Sequence, residues 1–186
     1  FELLANWWKD HAYGRAMYIG HGVYKSDPES ATKEWTLPGE LPKQIKLLRN
    51  IPEIGGSAFY SSKHFNRDLM GFQDSLKLNL FKNPSIIPPM TWIDNTPPKP
   101  VLKFKKSGKK IKWKVEEISD EMNKPNQFVI YLNEKGKPFD AEKSDLIYKI
   151  MNENEFKFSK INKKKKKYEV RISVLDRLKN ESKLSK

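Results

Sequence analysis

The sequence predicts two domains of different class, an α/β unit over residues 1–94 followed by an all-β sandwich over residues 97–186. Three observations predict it. Segments with helical spacing alternate with short apolar runs as far as residue 93, and short segments of in-out alternation follow. The two patterns meet at a Pro-rich junction, Thr96-Pro97-Pro98-Lys99-Pro100. The charge divides there as well: 11 Lys+Arg against 10 Asp+Glu before it, a net of +1, and 25 against 13 after it, a net of +12.

Residues 2–12 place Leu3, Leu4, Trp7, Trp8 and His11 at helical spacing, and Gly14 stops the helix. The opening residues Phe1–Trp8 read as the interior of a helix with no cap before it, which implies a piece of a longer protein. Arg15–Gly20 reads as a short buried strand, and a polar loop runs from His21 to Leu37. Pro38-Gly39-Glu40-Leu41-Pro42 opens a second helix, because a first turn has no use for the N–H that proline lacks. Leu41, Ile45, Leu48 and Ile51 form its apolar stripe, and Pro52 with Gly55-Gly56 ends it. Ser57–Tyr60 is a second strand, Ser61–Phe65 a loop, and a third helix begins near Asp68 with Leu69, Phe72, Leu76 and Leu80 on one face. The order α-β-α-β-α implies parallel strands joined by right-handed crossovers. Two parallel strands cannot bury both faces of a sheet, so this reads as the last units of an incomplete α/β barrel.

In the second half, Val101–Phe104 and Lys110–Val115 alternate around a turn at Gly108, Gln127–Leu132 is a strong strand, and Glu155–Phe158 and Tyr168–Val174 alternate again. About seven short strands in such a span predict an immunoglobulin-like sandwich. Trp113 is its expected core residue and Tyr168 a candidate corner tyrosine. The lysines then become outward positions of alternating strands.

Several classes fall away. The chain has no cysteine, so it has no disulfide, thiolate metal site or cysteine nucleophile. The three histidines, His11, His21 and His64, are widely spaced and form no metal-binding pair, and no metal or other cofactor is expected. No apolar run approaches the roughly 20 residues of a membrane span. The run Lys163–Lys167 reads as a solvated turn before a strand, and Lys prevails over Arg, so nucleic acid is not the expected partner.

Four groups of residues, in this order, carry a resemblance. They are Tyr18-Ile19-Gly20-His21-Gly22-Val23-Tyr24, then Pro38-Gly39-Glu40 with Gln44-Ile45 and Arg49, then Gly56–Ser61, then Asn83-Pro84 with Ile87-Pro88-Pro89-Met90. Together they resemble the end of a bacterial glycosyl-hydrolase-like family related to family 10 xylanases. Phe128–Tyr131, Val174-Leu175-Asp176-Arg177 and Asn180-Glu181-Ser182 resemble the fibronectin type III-like domain that follows such barrels. The resemblance implies a TIM barrel in which residues 15–20 are strand seven and residues 57–60 strand eight. It also implies a carbohydrate substrate and a parent protein secreted, periplasmic or lipid-anchored, as in Bacteroides-like bacteria.

Barrel sites lie at the C-terminal ends of strands. Here those ends carry His21, Tyr24, Tyr60, Ser61 and Lys63, with Trp35 in the following loop. His21 can bond a sugar hydroxyl or orient a carboxylate, or be a satisfied loop histidine. Tyr24, Tyr60 and Trp35 can stack on sugar rings, and Trp35 can equally pack beneath its loop. Ser61 and Lys63 can donate to sugar oxygens or serve as ordinary surface groups. Glycoside hydrolysis usually needs two facing carboxylates, and neither strand end carries one. Asp27, Glu29, Glu34, Glu40, Glu53 and Asp68 form no evident pair. No catalytic residue is therefore assigned, and the chain alone is expected to be inactive. The alternatives are a non-catalytic carbohydrate-binding or spacer module, or a polyanion-binding module built on the lysines. Leu3, Leu4, Trp7 and Trp8 need cover, which predicts self-association or packing on the second domain.

Overall fold

In the computed structural model, which describes residues 1–29, 32–108, 110–157 and 168–185, the chain divides into two compact units, Phe1–Lys82 and Asn83–Lys186. In the first, helix α1 (Glu2–Asp10) precedes strand β1 (Met17–Gly22), helix α2 (Glu40–Leu48), strand β2 (Ile54–Tyr60) and helix α3 (Phe72–Ser75). β1 and β2 pair in parallel, with Gly20 opposite Ala58, His21 opposite Phe59 and Gly22 opposite Tyr60. The expected α-β-α-β-α order and parallel pairing are both present.

α2 forms as its sequence directs. Gly39 holds a left-handed conformation at the N-cap, where a side chain would be strained, and Leu41, Ile45 and Leu48 face inward. Leu41 and Ile45 join Val23, Phe72, Leu76 and Leu80 in one cluster, while Leu48 packs with Ala5, Ile51 and Ile54 in another. The third helix departs from a regular one. Asp68, Met70 and Gly71 all have positive φ, so the chain turns twice before α3 starts. After Ser75 it widens into a π turn, Leu76–Leu80, closed by Phe81 N–H donating to the Leu76 carbonyl at 2.8 Å. The Arg49 guanidinium donates to the Leu80 carbonyl and so satisfies an acceptor that a helix end leaves open.

The second unit contains two three-stranded antiparallel sheets. β3 (Lys103–Ser107), β4 (Lys110–Lys114) and β7 (Glu155–Lys157) make one, and β6 (Ile147–Met151), β5 (Gln127–Glu134) and β8 (Tyr168–Leu175) the other. Ile111, Trp113 and Phe156 from the first meet Phe128, Ile130, Ile172 and Val174 from the second in a shared core. Trp113 is 2% exposed and meets Phe128 edge to face at 5.2 Å. β5 is buried on both faces, which explains its unbroken apolar run. Val129 and Tyr131 pack on the far side with Leu175, Ile86, Phe139 and Leu184. Tyr168 opens β8 opposite Glu134; residues 158–167, which include the Lys163–Lys167 run, lie outside the described residues.

The division falls near residue 82, earlier than the expected boundary after residue 94. Its cause is packing: Ile86 joins the β5 cluster, Met90 N–H donates to the Leu178 carbonyl at 2.9 Å, and Asn180 donates to the Asp94 carbonyl at 3.0 Å. No helix among the described residues is long and apolar enough to cross a membrane.

Candidate functional site

The parallel register sets the C-terminal ends of β1 and β2 side by side, and the chain beyond each end folds into a tight 3₁₀ turn, Val23–Ser26 and Ser62–Arg67. Tyr60, the last residue of β2, is 71% exposed, and the peptide that follows it is cis. Tyr24 meets it edge to face with ring centres 6.1 Å apart. His64 completes the group, its ring 6.2 Å from that of Tyr24. The His64 Nδ1 atom is buried and has no hydrogen-bond partner among the described residues. Apolar ring faces beside phenol and imidazole polar atoms are the chemistry that holds a sugar, whose C–H faces are apolar and whose rim is hydroxylated. The spacing of the histidines in the chain gave no sign of His64, because its place depends on how the loop after β2 turns back on Tyr24.

His21 points the opposite way, into the helix-covered side of the pair, and is 1% exposed. Its Nδ1 lies 3.1 Å from Gln44 Oε1 and its Nε2 3.0 Å from Ser57 Oγ. Gln44 Nε2 donates to Glu40 Oε1 at 2.9 Å, which fixes the amide with its oxygen toward the histidine. His21 is therefore protonated on Nδ1, and its bare Nε2 accepts from the Ser57 hydroxyl. Burial holds its pKa below the ordinary value, against the opposing pull of Gln44, and Phe59 and Phe1 stack on its ring. The chain Glu40–Gln44–His21–Ser57 ties α2 to both strands.

Trp35 lies in the 3₁₀ turn Lys33–Thr36, packed on the Val23 cluster with Lys25 Nζ 5.0 Å from its ring centre. Ser61 accepts from the His64 N–H through its backbone oxygen at 3.1 Å, and Lys63 is exposed on the same turn. The structure thus brings Tyr24, Tyr60, Ser61 and Lys63 to one end of the sheet and sets His21 and Trp35 into its supporting layer.

The candidate carboxylates have other duties. Asp27 is buried and bonded to the Glu29 N–H at 3.2 Å and to the Arg67 guanidinium. The Glu29 N–H first, and Arg67 after it, hold its pKa below the usual carboxylate range. Asp68 accepts from the Gln73 N–H at 2.8 Å in the first turn of α3. Glu53 precedes β2, at the end opposite Tyr60. Among the described residues no group of three or more His, Asp or Glu could hold a metal ion.

No family model matches the chain, and no solved structure matches it. Glycosyl hydrolase YngK of Bacillus subtilis (strain 168) is 30% identical over 192 residues, which cover 100% of this chain and 37% of that protein. Glycosyl hydrolase DigH of Escherichia coli (strain K12) is 32% identical over 73 residues, 36% of this chain and 17% of that protein, and DigH of Shigella flexneri matches to the same extent. The chain spans less than two fifths of the curated relatives it matches, and it is related by sequence to proteins named glycosyl hydrolases.

Proposed function

We propose that this chain supplies the last two β/α units of a glycoside-hydrolase barrel, followed by an accessory sandwich of the fibronectin type III kind. In this reading its strand ends form part of the sugar groove, and the catalytic carboxylates come from strands outside it. One observation carries the reading. The parallel pair β1–β2 is covered by helices on the face of Ile19, His21, Ser57 and Phe59, and bare on the face of Tyr18, Gly20, Ala58 and Tyr60. Parallel sheets are normally buried on both faces. The bare face ends in the Tyr24–Tyr60–His64 group, where barrel sites lie. Beside β1 runs an apolar groove of about 450 Å³ lined by Phe1, Leu4, Trp8, Met17, Tyr18 and Ile19, where side chains of a neighbouring barrel unit could insert. A secreted or lipid-anchored parent acting on a polysaccharide goes with this reading.

The test compares the chain with a parent protein carrying the remaining strands. The chain alone turns over no aryl-glycoside above the buffer rate, and the parent does. In the parent, Tyr60→Ala raises KM roughly three- to tenfold through loss of one aromatic contact, with a smaller change in kcat. Hydrolysis by the chain alone, or an unchanged KM, would overturn the reading.

A further inference from the structure

The outer face of the β3–β4–β7 sheet carries six lysines, Lys103, Lys105, Lys110, Lys112, Lys114 and Lys157, and one acid, Glu155. The register sets Lys103 directly opposite Lys114, Lys105 opposite Lys112, and Lys110 opposite Lys157. Like charges placed directly across a ladder repel and weaken the sheet. Glu155 answers two of them, at 2.7 Å from Lys110 Nζ and 2.9 Å from Lys112 Nζ. Lys103, Lys105, Lys114 and Lys157 have no ion pair among the described residues. Four of the lysines border a groove of about 600 Å³ that also touches Leu102, Trp113 and Asn154. Alternation alone would put polar residues on this face. It would not choose one sign at six positions in register.

We propose that this face binds an acidic polysaccharide, whose carboxylate or sulfate groups supply the counter-charges the sheet lacks. Among the described residues the three strands point no arginine outward, and Trp113, which the groove touches, is only 2% exposed. The face therefore offers no open platform for stacking bases and no planar fork for bidentate phosphate contacts. Flexible ammonium groups at regular strand spacing suit anions repeated along a chain. The choice of a glycan among polyanions rests on the hydrolase reading above; the charge lattice itself does not.

Polygalacturonate is the probe for the whole 186-residue chain, with dextran, duplex DNA and phosphatidylserine vesicles beside it. The chain is expected to bind polygalacturonate at low salt and not dextran, with affinity falling steeply as salt rises. The combined variant Lys103→Gln, Lys105→Gln, Lys112→Gln, Lys114→Gln is expected to bind at least about tenfold more weakly, with a log–log salt slope shallower by about one per lysine that meets an anion. Its melting temperature should not fall, because repulsion is relieved. The single Lys105→Glu change gives the same direction of loss where the combined variant fails to fold. Lack of binding to polygalacturonate, equal affinity in the variants, or tighter binding to DNA or vesicles would overturn the proposal. So would a loss that follows Lys163–Lys167→Ser instead. Failure here with glycoside turnover intact in the parent strikes this inference alone, and the converse result strikes only the hydrolase reading.

Discussion

His21→Leu tests whether the buried imidazole is a neutral tie between helix and sheet. The substitution leaves Gln44 Oε1 without its donor in a side chain that is almost wholly buried, which costs about 1–3 kcal/mol. Ser57 is half-buried and can turn to water, so its loss is small, and leucine keeps an apolar contact with Phe59. For a unit of this size the loss lowers the melting temperature by roughly 5–20 °C. The pH dependence is the sharper reading. The folded pKa of His21 lies below the ordinary 6.5, so below that pH the unfolded chain binds a proton that the folded chain refuses. The contribution is complete above pH 6.5 and declines as pH falls toward the folded pKa, with a slope of at most about 1.4 kcal/mol per pH unit. Urea unfolding of the Phe1–Lys82 unit, followed by amide NMR signals at pH 8, 6.5 and 5.5, should show the gap between wild type and variant narrowing with acid. Parallel curves at all three pH values would refute the neutral tie.

Trp113→Ala should cost about 3–5 kcal/mol by urea denaturation, while Trp113→Phe costs less, because the indole N–H has no hydrogen-bond partner to lose among the described residues. Glu181 accepts from the buried hydroxyls of Tyr131, at 2.6 Å, and Ser173. Glu181→Leu strands both and should cost about 2–3 kcal/mol, whereas Glu181→Gln, which keeps an acceptor, costs distinctly less. The ammonium groups of Lys110 and Lys112 pull the Glu155 carboxyl down to about 2. Carboxyl NMR should find it titrating there, and Lys110→Met with Lys112→Met should return it toward the ordinary range. Its stabilising effect is complete above the unfolded value of 4.5 and is lost as pH falls toward 2.

The alternation of helical and apolar segments made β1, α2 and β2 legible, since each owes its form to its own residues. β2 starts at Ile54, earlier than expected, because Gly55-Gly56 reads as a turn in the chain. In the fold, Gly56 lies under the Tyr18 ring, where a Cβ would stand 2.6 Å from Tyr18 Cε1. Glycine there serves a close approach inside the strand. β6 escaped notice because Ile147–Met151 does not alternate cleanly, and its pairing with β5 shifts register between Ile130 and Tyr131. The His21 chain joins residues 23 and 36 positions apart, and only the fold brings them together. The broken start of α3 depends on left-handed turns at Asp68 and Met70; aspartate favours that region only weakly, and methionine does not announce it at all.

The widened turn at Leu76–Leu80 constrains the length of the chain itself. One residue more than an α-turn needs is wound in before Phe81, and each residue rotates the next side chain by about 100° around the axis. That rotation lets Leu80 reach the core while Phe81 swings under Arg49, 5.4 Å from the guanidinium carbon. Loss of a single residue between Leu76 and Leu80 would let the Phe81 N–H close a regular α-turn on the Leu76 carbonyl, so Leu80 and Phe81 would keep their present directions. The segment should therefore absorb a one-residue deletion better than an insertion, because its wide turn already holds one residue more than an α-turn does.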